Sequence, residues 1–440
     1  MESGVVPNMK RLAILVLSSI LLGCNGVNPL KNVALKSFPY ENYVKSLERA
    51  DLDKSSMARQ WLKVGNDALT DSTQMELPFA ESGYFLASQP AARSYRFYAR
   101  RGQVLTVEGN RIGSDDSRLF LDLFMLKENG WRPVAHGDST LSVTYEFDSD
   151  AQCIIRLQPE LLVTTNYSIS ISLTPVLLNP VSGATNKSIK SFYGDSRDGG
   201  KRTHEGVDIF APKGTPVVAP TPGVVTRVGT GKLGGNVVWM RDQKRGHSYY
   251  FAHLDKQLVT RGTIVKKGDT LGTVGNTGNA RRTPPHLHFG IYQQTSFDPV
   301  HFIQTLGDRV EATPWDTTIR EFDYKVFAKK ISLKSGPGQR YNDITTLTKG
   351  TYLQIVALSD SWYRVQLPDG RNGFVAKTKI LPIRSGTHVQ IKESATVLSE
   401  ASDDAIALQH VKSGTVEVLA TFEKFKFVRT QQGIIGWLNI

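Results

Sequence analysis

The chain has 440 residues, 40% of them hydrophobic, a formal net charge of +12 and two cysteines. That length exceeds one ordinary domain and suggests about three or four, and the hydrophobic content excludes wholesale disorder. The positive charge favours polyanionic surroundings; without an RNP, zinc-finger or helix-turn-helix signature these are read as an acidic envelope surface, with no nucleic acid among the partners.

Lys10 and Arg11 precede an apolar run from Leu12 to Leu22 that ends at Gly23-Cys24, the order of a secretory signal over residues 1–23. The run is too short to span a bilayer comfortably. Leu21-Leu22-Gly23-Cys24 resembles the bacterial lipobox, which implies cleavage before Cys24, lipidation of that residue and a membrane anchor. Asn25 stands where many lipoproteins of the inner membrane carry an acidic residue, so an outer-membrane protein facing the periplasm is expected.

Residues 24–76 read as a tether, with a weakly helical stretch from Glu41 to Leu69 that either packs on the domains or spaces them from a membrane. Residues 77–178 read as a β-sandwich: Tyr167, Ile169, Ile171 and Leu173 alternate with Ser168, Ser170 and Ser172, and Leu119 to Phe124 and Thr144 to Phe147 supply further strands. Pairing Cys153 with Cys24 would join a tail to a strand interior, so Cys153 is expected as a buried free thiol. This region shows no metal-ligand or nucleophile constellation, and a positioning role is expected for it.

Residues 179–312 hold the chemistry. Five of the nine histidines fall between Lys201 and Tyr292: His204, His247, His253, His286 and His288. Alternation along a strand puts His286 and His288 on one face, where both reach one point. His204 and Asp208 are also an even number apart; Gly206 and Pro212 argue against a helix there, and Val207, Ile209 and Phe210 favour a strand. Two short extended pieces facing each other would form a metal site. Zinc suits it, since it takes imidazole nitrogen and carboxylate oxygen, needs only three protein ligands in hydrolytic sites, and leaves spare histidines for proton transfer or oxyanion stabilisation. His136, His247, His301, His388 and His410 are read as ordinary surface or core residues.

The stretch closely resembles the lysostaphin/LytM-type zinc endopeptidases, which cut peptide bonds of bacterial peptidoglycan. The resemblance rests on His204 to Asp208, Ala211 to Pro220, Gly223-Val224-Val225, Tyr250 with His253, Gly272 to Gly278, and His286-Leu287-His288. It implies that His204, Asp208 and His288 are ligands to one zinc per chain, and that His253 and His286 are non-ligand catalytic histidines. The loop from Asn279 to Pro285 departs from the family's usual small, Gly-rich approach to His-Leu-His, which bears on substrate preference; Arg281 and Arg282 in it, and Tyr250, are candidate substrate contacts.

Residues 313–383 and 384–440 contain a repeat at an offset of 63, the difference between Trp437 and Phe374, which also sets Trp362-Tyr363-Arg364-Val365 against Phe425-Lys426-Phe427-Val428. Each copy resembles the SH3-like barrels that accompany wall hydrolases. Exposed aromatics would bind wall peptides; alternatively Trp362 and Trp437 fill small cores. The expected protein is thus mainly β and multidomain, an exported zinc endopeptidase acting on stem or cross-link amides of peptidoglycan. Its rival is a non-catalytic wall-binding activator of other hydrolases, against which five intact site positions weigh.

Overall fold

The computed structural model describes residues 38–70, 75–112, 117–137 and 140–439; the signal region and Cys24 lie outside them. The fold is mainly β, as the alternating runs require. Tyr167, Ile169, Ile171 and Leu173 are all buried in the strand Thr165–Pro175, which lies between Phe79–Phe85 and Gln103–Ile112. Facing them is a second sheet in the order Arg93–Ala99, Ala151–Pro159, Leu119–Lys127, Gly130–His136. Tyr95, Phe97, Leu105, Leu123, Ile155 and Tyr167 fill the space between. Cys153 is a free thiol in this core, and burial pushes its pKa up to about 12.

Two features of this region go beyond the sequence reading. The helical stretch is two helices, Pro39–Arg49 and Ser56–Asp67, the second capped by Ser55, whose Oγ accepts from the Ala58 N–H at 3.2 Å. Tyr40, Tyr43 and Trp61 pack with Phe120, and Trp61 Nε1 donates to the Pro159 carbonyl at 2.7 Å, so these helices are part of the packed body. The serines alternating with the core side chains are also covered: Ser170 Oγ donates to the Val310 carbonyl at 2.7 Å and Ser82 Oγ to that of Thr313 at 2.6 Å. The segment after the histidine-rich region runs back over this sheet.

The edge strand Phe79–Phe85 also pairs with Tyr352–Ser359, in the register Ser82 to Leu358 and Gly83 to Ala357, which extends the sheet to eleven strands. Gly83 permits this approach, because a Cβ there would lie 2.6 Å from the Val356 carbonyl oxygen. The 63-residue offset reappears in the ladders. Trp362 pairs with Ala376 as Phe425 pairs with Asn439, and the bulge between Ile355 and Ala357 recurs between Val418 and Ala420. Trp437, Phe427 and Phe425 are buried in one cluster with Leu353 and Ile355 of the first copy, with Tyr352 packed against them, and Trp362 is half-buried against the sandwich core. Both tryptophans therefore contribute to packing.

The histidine-rich region forms an eight-stranded sheet. Its order is Ile264–Val265, Gly223–Gly231, Gly235–Asp242, His247–Leu254, His286–Tyr292, Val207–Phe210, Ile189–Ser191, with Ser296–Phe297 joined to His286–Tyr292. Val207, Ile209, Phe251, Leu287 and Phe289 pack below it, all 0% exposed, which fixes which side chains point up. Glu146 of the sandwich pairs with Arg245 at 2.6 Å, and the Arg101 guanidinium lies 3.9 Å from the Phe297 ring centre, away from the upper face.

Candidate metal centre

With Val207, Ile209, Leu287 and Phe289 pointing down, the intervening Asp208, Phe210, His286 and His288 point up. The register pairs Asp208 with His288 and Phe210 with His286, so the carboxylate and one imidazole meet across a single pair of strands. The Phe210 ring stacks on His286 at 4.9 Å between centroids.

His204 arrives differently from the expected extended piece. It precedes the strand, in a loop clamped by two 2.8 Å backbone bonds, His204 N–H to the Asp195 carbonyl and Gly194 N–H to the His204 carbonyl. Gly206 lets that loop pass over the ligand strand, for a Cβ there would lie 2.4 Å from the Phe289 carbonyl oxygen and 2.9 Å from His288 Cε1. His253 needs a further device. Ala252 pairs with His288, so strict alternation would turn His253 away from the upper face. A bulge removes the conflict: Phe251 and Leu254 pair with Val238 and Asn236, leaving two residues opposite one, and His253 adopts φ 63°. Its ring is thereby brought within 5.1 Å of His286 and 6.0 Å of His288, centroid to centroid.

Hydrogen bonds to carbonyls set the tautomers, because a carbonyl only accepts. His204 Nδ1 donates to Phe192 O at 2.8 Å, His253 Nδ1 to Thr277 O at 2.9 Å and His286 Nδ1 to Pro284 O at 2.9 Å. Each neutral ring is left with a bare Nε2. His204 Nε2 lies 3.0 Å from Asp208 Oδ1 and 2.9 Å from His288 Nδ1, which is 3.1 Å from the same oxygen. At most one proton, on His288, is then available to two acceptors, whereas a cation between the three atoms serves all of them. Their spacing is close to the edge of about 3.3 Å that zinc bonds of about 2.0–2.1 Å give a tetrahedron. Among the described residues, His204, Asp208 and His288 form the group able to hold a metal ion.

The charges agree with this arrangement. Burial opposes ionisation of Asp208, but the His204 and His288 rings in polar contact with its carboxylate outweigh it and hold the carboxyl well below the usual range. Burial, reinforced by His286 and His288, pushes His253 down to about 4, and burial also lowers His288. Both remain neutral near pH 7. The second oxygen of Asp208 accepts from Arg197 Nη2 at 3.0 Å, and the same nitrogen bonds Ser191 Oγ. Sequence reasoning missed Arg197, since an arginine in a Gly-rich turn carries no periodic signal.

These groups line a cleft of about 850 Å³ whose walls, among the described residues, come from the stretch between Ser191 and Tyr292. Tyr250 lines it, 5.7 Å from the His288 ring, beside Trp239 and Tyr292. Arg281 and Arg282 are exposed in the turn Gly278–Arg282; their neighbours Asn279, Ala280 and Thr283 line the cleft, and the two arginines stand outside that lining. His247 is kept apart below the sheet, packed on Phe297 and Phe302, and burial holds it neutral with a pKa of about 4.

Comparison with known proteins agrees with this architecture. Residues 202–299 match peptidase family M23 and residues 329–379 match the bacterial SH3 domain. An L-Ala–D-Glu endopeptidase of Bacillus subtilis is 40% identical over 133 residues, 27% of this chain and 40% of that protein. Peptidoglycan DD-endopeptidase ShyC of Vibrio cholerae is 36% identical over 121 residues, 28% of this chain and 24% of that protein. The catalytic domain of lysostaphin from Staphylococcus simulans is 34% identical and is covered to 92% by 26% of this chain, with a TM-score of 0.24. The chain spans less than half the length of these two curated endopeptidases. Residues 202–299, which contain the four cleft histidines and Asp208, therefore form a domain of peptidase family M23, and a bacterial SH3 domain follows it at 329–379.

Proposed function

We propose that this chain is a zinc-dependent endopeptidase that hydrolyses amide bonds in peptidoglycan peptides. The observation that carries the reading is the convergence of His204 Nε2, Asp208 Oδ1 and His288 Nδ1 to within 3.1 Å at the floor of an open cleft. Zinc held by these three residues would supply Lewis acidity toward a carbonyl and toward water at neutral pH. His253 and His286, with Nδ1 committed to backbone carbonyls, offer Nε2 toward the cleft; one accepts the proton of the attacking water and returns it to the leaving amine, and the other, when protonated at Nε2, donates to the developing oxyanion. The carbonyl acceptors keep both rings from rotating, so their protons are exchanged at Nε2. Ala252, directly beside His288 in the cleft, leaves room above the floor for an extended peptide.

We further propose that the mature chain is an exported lipoprotein anchored through Cys24 on the periplasmic side of an outer membrane, as its apolar run and Leu-Leu-Gly-Cys sequence support. A relative of 37% identity is an uncharacterized lipoprotein, YgeR, of Escherichia coli. The deciding experiment incubates purified sacculi with the protein, identifies released muropeptides by mass, and counts zinc per chain. One zinc and new amino termini in the released peptides are expected, with both lost in Asp208→Ala. Full zinc loading and hydrolysis in Asp208→Ala would place the centre elsewhere.

A further inference from the structure

We infer that the cleft selects peptides bearing free carboxylates beside the scissile amide, in preference to neutral glycine-rich ones; this rests on the peptidase reading above. The inference comes from the supply of charge on the two rims. On one side the hairpin made by Ser196–Arg197 and Arg202–Thr203 places Lys201 and Arg202 in the lining. On the other, the turn carrying Lys232 is fastened to the turn Gly278–Arg282 by the Asn279 N–H bond to the Leu233 carbonyl at 3.0 Å. Their backbones touch so closely that a Cβ on Gly278 would lie 2.3 Å from Gly235 N. Lys232, Arg281 and Arg282 thus share one rim.

Two of the cations in this region are already committed. Arg197 is spent on Asp208, and Arg202 pairs with Asp198 at 2.7 Å. Lys201, Lys232, Arg281 and Arg282 are exposed, and among the described residues none forms an ion pair. Some exposed or half-buried cations elsewhere are matched, as Arg100 is by Asp150, Arg245 by Glu146 and Arg429 by Glu417, so it is the position of the four beside the cleft that sets them apart. Apart from Asp208, the only acid lining the cleft among the described residues is Glu205, which accepts from the Tyr292 hydroxyl at 3.4 Å. Four unmatched positive charges on facing rims of a concave site raise the local concentration of anionic ligands and fix which way they lie. A glycine bridge offers these groups nothing, whereas the carboxylates of an acidic stem peptide offer each rim a partner.

The test uses one synthetic amide-linked peptide dimer in two forms, with its carboxyl groups free or converted to primary amides. The free-acid form should be cleaved with a kcat/KM about tenfold higher at low salt, and the gap should close as salt screens the rims. Lys201→Gln/Arg281→Gln/Arg282→Gln should remove most of the preference, chiefly by raising KM for the free-acid form. Equal cleavage of the two forms at low salt, or a preference that persists unchanged in the triple variant, overturns the inference. Calorimetric titration with the free-acid and amidated half-peptides separates the two claims. A protein that binds the acid form more tightly yet cleaves neither dimer loses the peptidase reading and keeps this one; one that cleaves both while binding them equally does the reverse.

Discussion

Glu81 and Asp208 are carboxylates removed from water in two parts of one chain, and they differ in the supply of donors. Glu81, 0% exposed, lies where the sandwich meets the SH3 strands. Its Oε1 accepts from the Tyr95 and Tyr167 hydroxyls, each at 2.8 Å, and its Oε2 from Arg364 Nε at 2.8 Å. Burial beside this carboxylate raises both phenols well above their ordinary pKa, so they stay protonated donors. Around Asp208 the donors fall short, because His204 turns its only N–H outward to Phe192. A balanced cluster is complete and structural; one that lacks donors is completed by a cation from outside. The same electrostatics thus yields a rivet in one region and a metal centre in the other.

Breaking the rivet should produce the largest effect on stability. Arg364→Met leaves Glu81 charged in a sealed core, at a cost of about 3–5 kcal/mol. Denaturant unfolding should register that loss, while hydrolysis of a small soluble peptide stays within about twofold wherever the protein remains folded. Glu81→Leu/Arg364→Met should recover much of the stability, since neither charge is then left alone. A single Arg364→Met without measurable destabilisation would show that the seam does not depend on the pair.

The catalytic region should respond in the opposite sense, losing rate without losing fold. His253→Ala and His286→Ala are each expected to keep near-stoichiometric zinc and to lose about a hundredfold or more in kcat, the scale of a positioned acid or base. Zinc loss in His286→Ala would make that residue a ligand. The measurement pairs metal quantification with initial rates on sacculi.

These two regions were unequally legible in the sequence. Asp208, His286 and His288 follow from alternation alone, because a buried Val, Ile, Leu or Phe at each intervening position fixes the face. His253 does not, for its orientation depends on a bulge with φ 63° at a residue that is not glycine. His204 sits in a loop whose path is set by Gly206 against the strand that carries His288, 84 residues from His204 in sequence. The repeat at offset 63 was legible, and the structure adds matching bulges in the two copies, since pairing within each copy is local. The seam was invisible: Glu81 and Arg364 are 283 residues apart, Glu81 belongs to no motif, and the repeat that contains Arg364 says nothing of a partner outside it. Periodicity reports which face a side chain takes, and contacts between distant edges leave no period to read.

Arg197 joins the two kinds of cluster and gives the smallest of the expected effects. Its Nη2 holds Asp208 Oδ2 at 3.0 Å, which leaves Oδ1 alone to face the two histidines, and its side chain is 31% exposed, so solvent moderates its charge. If this contact merely neutralised the carboxylate, removing a positive charge beside the centre would strengthen cation binding. If it orients the carboxylate, the freed side chain samples other rotamers and binding weakens, typically about 10–100-fold for an outer partner of a metal ligand. The geometry favours orientation, because the oxygen that Arg197 holds is the one turned away from His204 and His288, and partial exposure sets the expectation near tenfold. Chelator competition on Arg197→Met should therefore show zinc affinity reduced by about that factor, with unfolding of the sandwich unchanged. Arg197→Lys should recover part of the loss, since an ammonium retains the charge without the fixed fork of the guanidinium. An affinity that rises in Arg197→Met would mean that the arginine opposes the metal and that the loop clamping His204 alone holds the centre in shape.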